Sequence, residues 1–122
     1  MACWLWAPGI IQGLFLIHLL LHFLVPLVLV LIFWRKEWLQ RWLLLLCAFV
    51  IDLDHLLADP IYDPERCSIG FHPLHSGYAF VVYAALLASS VRWPDTLWWV
   101  RGQMVMYGVV VHLILDAADC IF

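Results

Sequence analysis

Charge is what this sequence is short of. Only 12% of its 122 residues are Asp, Glu, Lys or Arg, against 66% hydrophobic, and the mean hydropathy is +0.98. So little charge argues against a water-soluble globular domain and for an integral membrane protein. Lys and Arg together number six and stand at the borders of apolar runs, which excludes a nucleic-acid surface. Residues 1–8 hold no basic n-region, so the first apolar run is expected to remain as a helix and not to be cleaved as a signal peptide. Cysteine is also sparse, with four residues: Cys47 inside an apolar run, and Cys3, Cys67 and Cys120 near the ends of others. A Cys67–Cys120 disulfide and free thiols packed as small hydrophobes are both open readings.

Four apolar segments remain, at about 9–34, 39–58, 72–91 and 97–121, each near the ~20 residues that a spanning helix needs. The expected fold is all-α, a polytopic bundle of four transmembrane helices forming one domain over residues 1–122. The two short connections hold Arg35, Lys36, Arg41, Arg92 and Arg101, whereas the opposite side has only Arg66. The positive-inside rule therefore puts these connections in the cytoplasm, and the termini and the 59–71 loop outside. Trp34, Trp38, Trp42, Trp93, Trp98 and Trp99 at one border, with Trp4 and Trp6 at the other, read as interface anchors.

Against this background the ionisable residues inside the segments stand out. Asp52, Asp54 and His55 end the second segment, directly after residues 43–50, which carry no charge. A carboxylate in hydrocarbon costs roughly 2.5–3.5 kcal/mol, so its presence there points to function. His18 and His22 lie four apart on one helical face, and Pro26 is expected to kink the helix just beyond them. On an α-helix Asp52, His55 and Asp59 share a face while Asp54 points away, which suits Asp54 to orienting a ligand or acting as a base. His72 and His75 lie about one turn apart after the loop, and His112, Asp116 and Asp119 form one stripe on the last segment. Arg66 is expected to pair with a loop carboxylate or to face a substrate anion.

With a rise of ~1.5 Å per residue, most of these groups fall within about 15 Å of the outer border. The cytoplasmic halves hold no comparable group. Unpaired, Asp52, Asp54 and Asp116 would cost roughly 8–10 kcal/mol, and one arginine cannot neutralise them. A divalent cation can, and imidazoles with carboxylates and no thiolate suit zinc, iron, nickel or manganese outside a closed structural site. The surplus of donors implies two ions, or one ion with a surrounding shell of orienting and proton-transfer groups.

The order Asp-x-Asp-His, His-x-x-His-Ser and His-x-x-x-Asp resembles the membrane-bound metal-dependent hydrolases of the bacterial inner membrane. More closely, the stretches His18–His22, Ile51–Ala58, Arg66-Cys67-Ser68, Phe71–His75 and Asp116–Cys120 resemble a subgroup of small bacterial four-helix membrane proteins of unknown function. The Arg-Gly-x-Thr that the larger group carries between its two central histidines is replaced by Pro73-Leu74. The resemblance implies a metal-dependent hydrolase acting on a lipid or amphiphilic ester or phosphoester. We expect Asp52, His55, His75, His112, Asp116 and His18 to hold one or two ions, zinc foremost. Asp54 would act as base or orienting carboxylate, and His72 or His22 as proton donor. The expected partners are membrane lipid, a lipid-like substrate and a second copy of the chain in a homo-oligomer, not nucleic acid. Metal binding without catalysis, and metal or proton translocation, are the alternatives. A conductor should continue its polar groups to the cytoplasmic side, and the many aspartates disfavour bis-histidine haem.

Overall fold

The computed structural model describes residues 8–59, 61, 63, 66–92 and 97–121, with all side chains among them except those of residues 8–12 and 98. Trp4, Trp6, Trp93 and Cys3, and the side chain of Trp98, lie outside the described set. Helix α1 spans Pro8–Phe33. It is strongly apolar, with His18 and His22 as its only ionisable side chains, and carries Pro26 in its interior without ending there.

Helix α2, Trp38–Leu46, is only nine residues long. The chain then continues for eleven residues, Cys47–Leu57, as a 3₁₀ helix, instead of remaining α-helical to residue 58. In 3₁₀ winding, positions three apart eclipse one another, and the buried residues Leu45, Ala48, Ile51 and Asp54 follow that spacing. The change of winding corrects the expectation for Asp54. It faces the bundle with 4% of its surface exposed, while the Asp52 side chain stands nearer the rim at 34%.

Helix α3 begins at Gly77 and runs to Arg92, five residues later than the apolar pattern suggests. The reason is local. Pro73–His75 form a separate 3₁₀ turn, and Ser76 has extended backbone. The Ser76 Oγ accepts the Ala79 N–H at 3.3 Å and so caps the helix that follows. Ahead of this turn, Gly70 takes a φ of 84°, a left-handed conformation that glycine adopts without cost. Its N–H bonds to the His75 carbonyl at 2.9 Å, which folds the loop back beside the turn.

Helix α4, Leu97–Asp119, is the hub of an all-α four-helix bundle and packs against α1, α2, the 3₁₀ extension and α3. A Cβ on Gly108 would run into the Leu45 backbone carbonyl, so α2 and α4 approach as closely as they do because glycine stands there. Val30, Leu45 and Met104 fill one end of the core, and Trp34, Trp42 and Tyr107 pack onto them. The Trp42 Nε1–H donates to the Phe23 carbonyl at 3.1 Å, so Trp34 and Trp42 join helices. Ala48, Ile51 and Val109 form a second cluster. Large apolar side chains such as Leu16, Ile32, Leu57, Tyr78, Val81 and Ile114 face outward, whereas His22, Asp54, His72, His75, His112 and Asp116 are buried. Among the described residues two helices, Gly13–Phe33 and Trp99–Asp119, are long and apolar enough to cross a membrane.

Candidate metal centre

At the end opposite the Val30 cluster, three segments bring His and Asp side chains to one place. The 3₁₀ extension supplies Asp52, the turn before α3 supplies His75, and α4 supplies His112 and Asp116, with one donor atom from each residue inside a common 4.8 Å sphere of mutual distances. The two Nε2 atoms and two carboxylate oxygens alternate. His112 Nε2 lies 2.9 Å from Asp52 Oδ1 and 3.3 Å from Asp116 Oδ2, and His75 Nε2 lies 3.5 Å and 3.1 Å from the same two oxygens. A tetrahedral ion with ligand bonds of about 2.0–2.2 Å holds its donors about 3.3–3.6 Å apart. The observed spacing is close to that edge length.

Hydrogen bonding points the same way. Only the His112–Asp52 contact of the four has hydrogen-bond geometry, and the buried atoms His75 Nε2 and Asp116 Oδ2 have no hydrogen-bond partner. A buried polar atom left so costs about 1–3 kcal/mol. A cation between them removes the penalty at both atoms. The cluster is therefore a buried His/Asp group able to coordinate a metal.

Asp54 stands behind this group. Its Oδ2 accepts the Leu74 N–H at 2.7 Å and faces His75 Nδ1 at 3.3 Å, while its Oδ1 faces His55 Nδ1 at 3.2 Å. A proton on His75 Nδ1 directed at Asp54 leaves the Nε2 lone pair for a metal. The Leu74 carbonyl is itself fixed by the Tyr83 hydroxyl at 2.9 Å. Nothing in the sequence singled out Tyr83 for this, because the tie depends on how the turn folds back.

His55 lies one layer out from the four. With Asp54 and His72 it forms a separate group, its Nε2 meets Ser68 Oγ at 3.1 Å, and its ring stacks on buried His72 with centroids 3.9 Å apart. The sequence marks Ser68 only within the Arg66-Cys67-Ser68 stretch, beside Cys67, which forms a disulfide with Cys120 and so fixes the loop against the end of α4. Arg66 pairs with Asp63 at 3.4 Å and lies over the Phe71 ring.

His18 and His22 form a third group with Asp116. On the inner side, Phe49 packs edge-on against His112, and a void of about 10 Å³ bounded by His22, Pro26, Phe49, Gly108 and His112 has room for one water at most. Beyond it come the apolar residues of the Val30 cluster.

Residues 11–122 match the pattern of a family of unknown function, DUF6122. The chain belongs to that family. The match covers every residue of the three His/Asp groups, so the DUF6122 pattern includes the segments that build the centre. It carries no hydrolase name, and the likeness to the larger hydrolase group rests on the quoted motifs alone. No curated protein and no solved structure matches the chain.

Proposed function

We propose that the protein is an integral-membrane, metal-dependent hydrolase whose centre opens at the outer leaflet of a bacterial inner membrane. The observation that carries this reading is the alternating Asp52, His75, His112 and Asp116 donor set with its unpartnered buried atoms. A divalent cation held there, zinc foremost, supplies an activated water and a Lewis acid for a phosphoryl or acyl oxygen. Asp54, with both oxygens engaged, serves to orient His75 rather than to act as a base. His72, buried and stacked on half-buried His55, serves as proton donor to a leaving group. Access is from the Asp52 side, the most exposed of the four ligands.

Several features support the membrane setting. The nine α-helical and eleven 3₁₀ residues of the second segment rise about 35 Å together at ~1.5 and ~2.0 Å per residue, enough for a hydrocarbon core of about 30 Å. The outward apolar and inward polar side chains suit lipid better than water. Arg35, Lys36 and Arg41 lie at the end away from the centre, which by the positive-inside rule faces the cytoplasm. The Cys67–Cys120 disulfide lies at the centre's own end, and disulfides persist in oxidising compartments. Substrates reaching that end from the bilayer are lipids or other amphiphilic esters, and the exposed apolar faces suit lipid or a second copy of the chain.

One observation favours a second reading, metal binding without turnover: the protein alone supplies four donors, the number that a closed, non-catalytic site uses. Translocation gains no such support, since the floor of the centre is apolar. Metal analysis of the purified protein should find bound ion in the wild type and its loss in Asp52→Ala, His75→Ala and His112→Ala. Full retention in all three would overturn the proposal. In proteoliposomes containing phosphoester and acyl-ester lipids, product release should fall at least tenfold on chelation; metal binding without any turnover would establish the second reading.

A further inference from the structure

We infer that the protein holds a second metal ion, on His18 and His22, and that Asp116 bridges the two ions. This inference rests on the centre proposed above and adds to it the position that the first four donors do not leave open.

Asp116 is the geometric reason. Its Oδ2 faces His75 and His112 at 3.1 and 3.3 Å, while its Oδ1 faces His18 Nε2 and His22 Nε2 at 3.3 and 3.2 Å. One buried carboxylate thus presents an oxygen to each of two imidazole pairs. Its place on α4, one turn after His112 and against α1, gives it that reach. The His22 tautomer is fixed as a ligand requires. A carbonyl oxygen only accepts, so His22 Nδ1, 3.0 Å from the His18 carbonyl, carries the proton. The Nε2 lone pair is then left toward Asp116.

His22 is buried, with 3% of its surface exposed, and its Nε2 has no hydrogen-bond partner although the carboxylate oxygen is only 3.2 Å away. Two buried acceptors looking past one another at such a distance describe a cation position. The group of Asp54, His55 and His72 differs. There both His55 ring nitrogens and both Asp54 oxygens are already engaged, which leaves His72 alone of the three, and no third ion is assigned.

Three protein donors leave coordination positions that the chain does not fill, the arrangement of catalytic rather than structural sites. His18 is the exposed member of the set, and Asp119 stands 3.6 Å from its Nδ1 at the surface. The second ion is therefore also reached from outside, on the His18 side. His22, assigned from sequence to proton donation, serves here as a ligand.

The test uses the full chain in detergent, stripped with a chelator and reloaded with Mn(II). Wild type should bind about two ions per chain and give the exchange-coupled electron paramagnetic resonance spectrum of a pair. His18→Ala and His22→Ala should each keep about half the metal and give the six-line spectrum of an isolated ion. The wild-type measurement stands even if a variant fails to fold. One ion per wild-type chain with a six-line spectrum, lost in His112→Ala but kept in His22→Ala, would overturn the bridged pair and leave the single centre standing. Two ions retained in both α1 variants would overturn the ligand assignment. No bound ion in wild type would overturn this inference and the proposed function together.

Discussion

Where residues 34–41 turn the chain, Val30, Leu45 and Met104 meet in the ordinary manner of helices, through apolar side chains backed by Trp34, Trp42 and Tyr107. At the other end the second segment, the turn before α3 and α4 meet through Asp52, His75, His112 and Asp116, on backbone that in the second segment has changed from α to 3₁₀ winding. The first contact region is apolar, and on that half of α4 one buried atom, Arg101 Nε, lacks a hydrogen bond. The second leaves His22 Nε2, His75 Nε2 and Asp116 Oδ2 buried without hydrogen bonds. One end sets the bundle's spacing, and the other uses that spacing to hold donors apart at a distance suited to an ion.

This contrast breaks most sharply at Asp116. Metal at about a thousand times its dissociation constant should stabilise the wild type by about 4 kcal/mol. Asp116→Ala should abolish that increment, because both sets of histidines lose their shared carboxylate. Thermal unfolding with and without metal measures it, and a variant that responds like the wild type would show that the donors do not act together. At the apolar end, Gly108→Ala forces a methyl against the Leu45 carbonyl and should cost about 1–3 kcal/mol. The number of bound ions should not change, since the centre is tied by polar contacts farther along the helix. Joint loss of stability and metal would erase the distinction between the ends. An effect of similar size belongs to Asp54→Asn, which keeps shape but weakens the hold on His75. A 10- to 100-fold drop in metal affinity, or about 1.4–2.7 kcal/mol, is expected, measurable by competition with a chromogenic chelator.

Much of the centre is legible in the sequence because helical spacing is local. His112 and Asp116, four apart on an uninterrupted helix, had to share a face, and their donor atoms lie 3.3 Å apart. That Asp54 is more deeply buried than Asp52 was not legible. No glycine or proline marks Cys47 as the point where the winding tightens, and only the packed stripe of Leu45, Ala48, Ile51 and Asp54 reveals it. The late start of α3 was hidden by Pro73, a good first helical residue that opens a short 3₁₀ turn instead. Two distant loops decide whether Cys67 meets Cys120, and local spacing carries no information on that.

That disulfide also gives the molecule an order of events. Its cysteines are 53 residues apart in sequence, with Cα atoms 5.1 Å apart in the fold, and α3 and α4 both lie between them. Bond formation must therefore await synthesis and placement of the last helix. On the proposed topology it takes place outside, where thiols meet oxidant. Ser68 and Asp116, close to the two cysteines in sequence, are then locked into position after the chain has left the metal-buffered cytoplasm. The choice of ion would accordingly be made in the outer compartment, from the metals available there.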